Sequence, residues 1–133
     1  MGKKIKKQNT HLNKIKIPSE RNEHLDYPVF CFRHLQTTPK DDHKFYSDFV
    51  VRLNKISCFS WNQINVNSRH GFGTEKIPVN QIKPQLPRFV TPEVTHLVVF
   101  RANGDNRPFV GLRRGAIFHI LFLEEQFGDI YNH

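Results

Sequence analysis

The last third of the chain constrains the fold most, because it holds three short apolar segments separated by turn signals. Residues 95–102 and 116–123 are rich in β-branched and aromatic side chains, and residues 108–112 are mostly apolar. Between them lie Asn103-Gly104-Asp105-Asn106 and Arg113-Arg114-Gly115, and Asn-Gly pairs favour tight hairpins. Because short connections join antiparallel neighbours, the pattern predicts a three-stranded antiparallel meander.

An amphipathic helix is predicted upstream of the meander. Its apolar residues recur at spacings of four, four and three: Phe45, Phe49, Leu53 and Ile56. Thr38 and Pro39 precede this stripe, which favours an N-cap at Thr38 and a first helical residue at Pro39. Ser60 and Gln63 have the spacing of a capping box, which predicts a short second helix that ends near Val66.

The remaining segments complete a small α+β fold. Residues 27–35, Tyr-Pro-Val-Phe-Cys-Phe-Arg-His-Leu, predict a first strand, with Pro28 at a sheet edge or at the strand's start. Residues 68–77 carry two glycines and predict a loop, and prolines keep residues 78–92 irregular or extended. We therefore expect one domain over residues 27–133, a two-layer sandwich of an N-terminal strand, a helical hairpin and the meander.

The positive charge is unevenly distributed. The net charge is +8, and residues 1–16 hold six Lys and no acid. Residues 1–26 offer too little apolar surface to offset their ordering entropy, so a basic and mostly disordered tail is predicted. Residues 69–114 hold eight basic and three acidic residues, an excess of +5 (8 − 3). A solubilising arm and an RNA-contacting arm remain alternatives for the tail.

Cysteine usage and hydropathy point to a compartment. Cys31 and Cys58 are too few for a disulfide scaffold and predict buried free thiols in a reducing environment. No stretch approaches the roughly 18 apolar residues that span a bilayer. No apolar region follows the basic N-terminus, as a secretory signal would require. These features predict a cytoplasmic location without a membrane partner.

The segment Ser68–Ile77 is the first candidate site. Arg69, His70 and Lys76 lie within eight residues of sequence, in a glycine-bearing loop. Glycines let the backbone approach a phosphate, Arg binds it through two hydrogen bonds, and His exchanges protons near neutral pH. The alternative is a structural turn with solvated cations.

A second group of candidates lies on the meander and is predicted to bind nucleic acid: Arg101, Arg107, Arg113, Arg114 and His119. Arg113 and Arg114 are placed at a hairpin tip by this prediction. Alternation along the third strand separates two sets of side chains: Ile117, His119, Leu121 and Leu123 on one face, and Phe118, Ile120 and Phe122 on the other. A histidine on an apolar strand face is also typical of a packed core residue, which is the alternative for His119.

The chain end and the other histidines complete the candidates. Tyr131 and His133 bring a phenol and an imidazole together, although fraying is common at a chain end. The histidines at positions 11, 24, 34 and 43 are scattered, and we expect them at the surface.

Together these features resemble the RelE/ParE-type toxin superfamily, and most closely RelE-like proteins of bacteria and phages. The shared features are a Trp-bearing helical hairpin, the Arg-His-Gly-Phe-Gly loop at residues 69–73, the meander sequence at residues 107–123, and the late Tyr131 with His133. The likeness covers residues 27–133. The family's Asp-x-x-His-x-x-Tyr-Pro ending is altered here to Gly-Asp-Ile-Tyr-Asn-His.

The resemblance implies a toxin of a toxin–antitoxin or phage defence system that cleaves messenger RNA, often on the ribosome. Such cleavage needs a base, an acid and cations, but no metal or other cofactor. The implied catalytic residues are Arg69, His70, Lys76 and Tyr131, and a cognate antitoxin is an expected partner. Because proteins of this superfamily also act on other targets, a non-catalytic nucleic-acid- or protein-binding module is the alternative.

Overall fold

The computed structural model describes residues 27–66, 74–102 and 107–133. Its elements in chain order are β1 (Val29–Cys31), α1 (His43–Ser57), α2 (Trp61–Val66), β2 (Glu75–Pro78), a 3₁₀ turn (Val79–Gln81), β3 (His96–Arg101), β4 (Pro108–Arg114) and β5 (Ile117–Leu123). The predicted tail and the predicted turn at residues 103–106 lie outside the described residues.

The five strands form one mixed sheet in the order β1-β5-β4-β3-β2. β1 runs parallel to β5, and the other neighbouring pairs are antiparallel. The predicted α+β class is confirmed, but the sheet has five strands, because residues 29–31 pair with β5 and residues 75–78 with β3. The loop prediction is therefore wrong for residues 75–77, which belong to β2.

Helix α1 begins at a different cap from the predicted one. Asp42 is the N-cap, and its carboxylate accepts a hydrogen bond of 3.0 Å from the backbone N–H of Phe45. The prediction of Thr38 is wrong because the apolar stripe begins at Phe45, three residues after Asp42. The stripe itself is confirmed, since Phe45, Phe49 and Ile56 are all buried.

Helix α2 has the predicted capping box. The Ser60 hydroxyl accepts from the Gln63 N–H at 3.2 Å, and the Gln63 side chain accepts from the Ser60 N–H at 2.9 Å. The helix then spans Trp61–Val66, as predicted. The buried Trp61 indole donates to the carbonyl of Ala116 at 3.1 Å, which ties α2 to the turn between β4 and β5.

An aromatic core fills the space between the helices and the first face of the sheet. Its buried members are Phe45, Phe49, Ile56, Trp61, Ile64, Phe100, Ala102, Phe109, Phe118, Ile120 and Leu123. Phe100 stacks on Phe109 at 5.1 Å, and Phe118 meets Phe100 edge-on at 5.1 Å. Each buried ring of this kind stabilises the fold by about 1.5 to 3 kcal/mol through loss of hydrated apolar surface.

The second face of the sheet is also covered. Its buried side chains are Ile77, Leu97, Val99, Val110, Leu121, Phe122, Ile130 and Tyr131. The cover comes from partly buried residues of the irregular segment 79–94, among them Ile82 and Phe89. The predicted two-layer arrangement is wrong in this respect, because proline-rich chain covers a sheet face without forming a long regular element.

A bulge in β5 changes which side chains share a face. Val110 pairs with Phe122 and Gly111 pairs with Ile120, so Leu121 is the extra residue. Leu121 and Phe122 therefore both join the second face, and Leu123 returns to the first. The prediction that placed Leu123 with His119 and Phe122 opposite is wrong for this reason.

Further differences concern the turn after β4 and the cysteines. Arg113 and Arg114 are the last residues of β4, and the turn is formed by Gly115, whose φ is 63°, and Ala116. Both cysteines are free, as predicted, but neither is fully buried. Cys31 is partly buried, and Cys58 is exposed at the C-cap of α1, so the prediction of buried thiols is wrong.

Within the described ranges, no helix is long and apolar enough to cross a membrane.

Candidate functional site

Arg107 anchors the start of α1. Its guanidinium donates to the backbone carbonyl of Glu125 at 3.1 Å and lies 3.8 Å from the Asp42 carboxylate. It also lies over the Phe45 ring, 4.4 Å from the centroid. These contacts join the helix cap to the chain after β5, so Arg107 is engaged in holding the fold.

Arg113 is engaged on the helix side of the sheet. Its guanidinium lies over the Trp61 ring at 4.2 Å from the centroid, and its Nε donates to the carbonyl of Gly115 at 2.8 Å. Burial lowers its pKa. The arginine thus packs against α2 and the turn after β4.

Arg101 and Tyr131 lie together on the second face. An Arg101 nitrogen is 3.6 Å from a Glu75 carboxylate oxygen, and both side chains are mostly buried. Tyr131 is 7% exposed, and its hydroxyl has no hydrogen-bond partner in the described parts of the chain. Burial raises the pKa of Tyr131, and the nearby Arg101 guanidinium partly offsets this.

The four predicted catalytic residues are not brought together by the described structure. Lys76 is exposed and pairs with Val98, which packs on the helix side, whereas Tyr131 is buried on the second face. Arg69 and His70 lie outside the described residues.

The end of the chain is packed rather than frayed. The carboxylate of Glu124 is fully buried, accepts from the Ile130 N–H at 3.1 Å, and lies 2.5 Å from His133 Nε2. The His133 ring stacks on Phe127 at 3.8 Å. This contact set fixes the segment that carries Tyr131.

The remaining two meander candidates, Arg114 and His119, meet two residues that the sequence did not single out. The Phe89 ring lies 4.0 Å from the His34 ring, nearly parallel at 13°, and 4.5 Å from the His119 ring. The two imidazole centroids are 5.6 Å apart. The Arg114 guanidinium lies 4.8 Å from the Phe89 centroid. We call these four residues, His34, Phe89, Arg114 and His119, the His34–His119 site.

His34 is held there by the chain that follows β1. Leu35 donates to the carbonyl of Phe32 at 3.1 Å, and Gln36 donates to the carbonyl of Leu121 at 2.7 Å. One residue further, the Thr37 hydroxyl accepts from the N–H of Leu123 at 2.9 Å. These bonds lay the segment along β5, so His34 faces His119. His34 is partly buried there, and its ring contacts with Phe89 and His119 were not predicted.

His119 is placed by the close approach of β4 and β5. A Cβ on Gly111 would lie 2.1 Å from the backbone oxygen of His119, so only glycine fits at this point of β4. His119 pairs with Leu112 of β4 and with Cys31 of β1, so its imidazole lies on the middle strand of these three.

The electrostatics of the His34–His119 site favour a neutral His119. Burial lowers the pKa of His119, and the charges of His34, Arg114 and Arg33 act in the same direction. Its Nδ1 is buried without a hydrogen-bond partner in the described structure. Nδ1 is therefore not the nitrogen that exchanges a proton with a ligand.

The arrangement offers two imidazole rings beside the guanidinium of Arg114, which is suited to acid–base chemistry on an anionic group. No group of three or more His, Cys, Asp or Glu side chains in the described ranges is arranged to hold a metal ion. Sequence reasoning missed His34 and Phe89, because neither lies near His119 in the chain. His34 reaches the site through the parallel pairing of β1 with β5, and Phe89 reaches it through the irregular segment 79–94, and no local pattern encodes either placement.

No family model matches this chain, and no curated protein and no solved structure matches it significantly.

Proposed function

We propose that this protein is a metal-independent RNA-cleaving toxin of the messenger RNA interferase type, and that it cleaves at the His34–His119 site. The observation that carries the proposal is the pair of imidazoles, 5.6 Å apart between centroids, with Arg114 beside them. Two histidines at this separation can both reach one phosphate group that binds beside them.

The chemistry needs one proton taken and one proton given. A base removes the proton of a ribose 2′-hydroxyl, and the oxygen attacks the adjacent phosphorus. The bond from phosphorus to the 5′-oxygen of the next nucleotide breaks, and an acid protonates that oxygen. The products are a 2′,3′-cyclic phosphate and a free 5′-hydroxyl, with no change of oxidation state.

His119 is assigned the accepting role, because its lowered pKa keeps it unprotonated near neutral pH. His34, across the Phe89 ring, is then the donor to the leaving oxygen. The guanidinium of Arg114 stabilises the negative charge that develops on the phosphorane oxygens, and Arg33 adds to the positive field that reaches His119.

The charge distribution supports an RNA partner. The excess of five positive charges over residues 69–114 and the six lysines of residues 1–16 favour binding to a polyphosphate. Arg69 and His70, named by the resemblance to RelE-like toxins, remain predicted contributors. A ribosome-bound messenger RNA as substrate and an antitoxin as protein partner belong to the same proposal.

The test is cleavage of a labelled single-stranded RNA by the purified full chain, in the presence and absence of a chelator. We expect equal cleavage in both, with cyclic phosphate ends. DNA of the same sequence should remain intact, because it has no 2′-hydroxyl. Intact RNA under all conditions, ribosomes included, would contradict the proposal.

Two observations favour a second candidate, a module that binds RNA without cutting it. To accept a proton at Nε2, the neutral His119 ring must already carry its hydrogen on Nδ1, which is buried without an acceptor in the described structure, and this disfavours the tautomer that acts as a base. The stacking of His34 on Phe89 also restrains its ring. Salt-sensitive RNA binding together with normal growth of cells expressing the protein would support this module, whereas growth arrest with RNA decay supports the enzyme.

A further inference from the structure

Two exposed aliphatic side chains lie next to the His34–His119 site. Val29 of β1 is 46% exposed and Ile117 of β5 is 40% exposed. The two are partners in the parallel register, so their side chains lie side by side. Because alternate residues of a strand share a face, they lie on the same face as His119, two residues further along β5.

The strand register arranges this face in two rows. Arg114 pairs with Ile117, and Ile117 pairs with Val29, which gives one row across β4, β5 and β1. The neighbouring row on the same face contains His119 and lies about 7 Å away along the strands. A guanidinium, an aliphatic pair and an imidazole thus lie within the reach of a single nucleotide.

We infer that Val29 and Ile117 form a subsite for a nucleobase of single-stranded RNA, next to the phosphate held at the His34–His119 site. The inference rests on the proposed function, because it takes that site as the place where the phosphate binds. A base has apolar faces and carries its polar groups on its edges, so a flat aliphatic pair suits its face. Arg114 at the end of the row can bind the phosphate or a base edge.

Single-stranded RNA is the occupant for a physical reason. A base inside a duplex has both faces covered by its neighbours, and its face becomes available to a side chain when the strand is unpaired. Aromatic platforms tolerate any base because every base has an apolar face, and an aliphatic pair that covers the same face should be equally tolerant. Continuity with the cationic site distinguishes this pair from the exposed valines of α1, Val50 and Val51.

The test changes the subsite in both directions. Ile117→Tyr adds an aromatic face and should tighten binding of a single-stranded oligonucleotide with 2′-deoxyribose at every position by about tenfold. Ile117→Thr keeps the β-branched shape but removes apolar surface, and should weaken binding several-fold. Val51→Tyr and Val51→Thr are the matched controls on α1 and should bind as the wild type does. A blunt duplex should show no gain with Ile117→Tyr.

The outcomes separate this inference from the cleavage itself. If the protein cuts RNA and both Ile117 variants bind the oligonucleotide as the wild type does, with unchanged melting temperature, the subsite is overturned. If the variants shift binding in opposite directions but the wild type cuts no RNA, the subsite stands and the enzyme proposal fails. Absence of any single-strand binding by the wild type would overturn both.

Discussion

The two faces of the sheet are covered by different kinds of chain and carry different chemistry. The first face lies under α1 and α2 and meets closely packed aromatic rings. The second face lies under the irregular segment 79–94 and the C-terminal residues. It carries the His34–His119 site and the pair of Arg101 with Glu75. Regular helices satisfy their own backbone groups and pack densely, whereas irregular chain leaves room for polar side chains.

Arg113 and Arg114 show this division within two adjacent residues. Alternation along β4 sends Arg113 to the helix side, where it packs on Trp61, and Arg114 to the second side, where it lies over Phe89. The sequence alone predicts the same role for both arginines, whereas the structure places them on opposite faces of the sheet with different neighbours. We therefore expect stability to be concentrated on the helix face, whereas the proposed site lies on the second face.

The largest expected effect is the loss of a ring from the helix face. Phe118→Ala should lower the free energy of unfolding by about 3 to 5 kcal/mol, because the ring is fully buried among other rings. Phe89→Ala, on the second face, should cost clearly less, because Phe89 is partly buried. Denaturant unfolding measures both, and equal losses would break the distinction between the faces.

The next effect tests how His119 is positioned. Gly111→Ala should cost about 3 kcal/mol, because the added Cβ would lie 2.1 Å from a backbone oxygen of β5. The control is Gly115→Ala, which meets nothing within 4 Å and is strained solely by its φ of 63°, a cost of about 1 kcal/mol. Thermal unfolding ranks the two variants, and a Gly111→Ala protein as stable as the control would contradict the close approach.

Substitutions of Arg113 and Arg114 should have a smaller effect on stability. Arg113→Ala should lose about 1 kcal/mol through its stacking on Trp61. Arg114→Ala should leave stability nearly unchanged but weaken binding of single-stranded RNA. Unfolding and RNA titration on the same two variants sharpen the comparison. The reverse result, with Arg113 controlling binding and Arg114 controlling stability, would refute the assignment of faces.

The smallest effect is a pH dependence on the second face. Burial lowers the pKa of His119 in the fold, whereas an unfolded histidine titrates near about pH 6.5. Below that pH the unfolded chain takes up a proton that the folded chain resists, so His119 lowers stability as the pH falls. Between about pH 7.5 and about pH 5, a window that brackets the pKa of an unfolded histidine, the His119→Asn variant should therefore lose less stability than the wild type. His43→Asn, at an exposed position, is the control and should follow the wild type.

Local sequence patterns predicted those elements whose capping residues or apolar spacing lie within the element itself. The apolar stripe from Phe45 to Ile56 and the capping box at Ser60 were read from a few neighbouring residues, and the structure has both. The second face could not be read this way. Its cover comes from a proline-rich segment whose apolar residues have no helical or strand period, and its faces were reassigned by the bulge at Leu121.

The candidate site was predictable in part for a similar reason. Arg114 and His119 lie on strands with a clear pattern, and both were chosen from the sequence. His34 and Phe89 reach the same place through a parallel strand pairing and an irregular crossing, which are long-range features. Arg107 and Arg113 were chosen for their charge, but the structure engages both with aromatic rings of the helix face.

In the proposed mechanism, His34 and His119 act together on one phosphate. The most direct measurement is the single-turnover rate of RNA cleavage for His34→Asn, for His119→Asn and for the double variant, with His43→Asn as control and unfolding curves for all four. We expect each single variant to be slower by about 100-fold or more, and the double variant to be little slower than either, because residues that act as a unit are not additive. Single variants that fold normally and cleave at the wild-type rate would contradict the account.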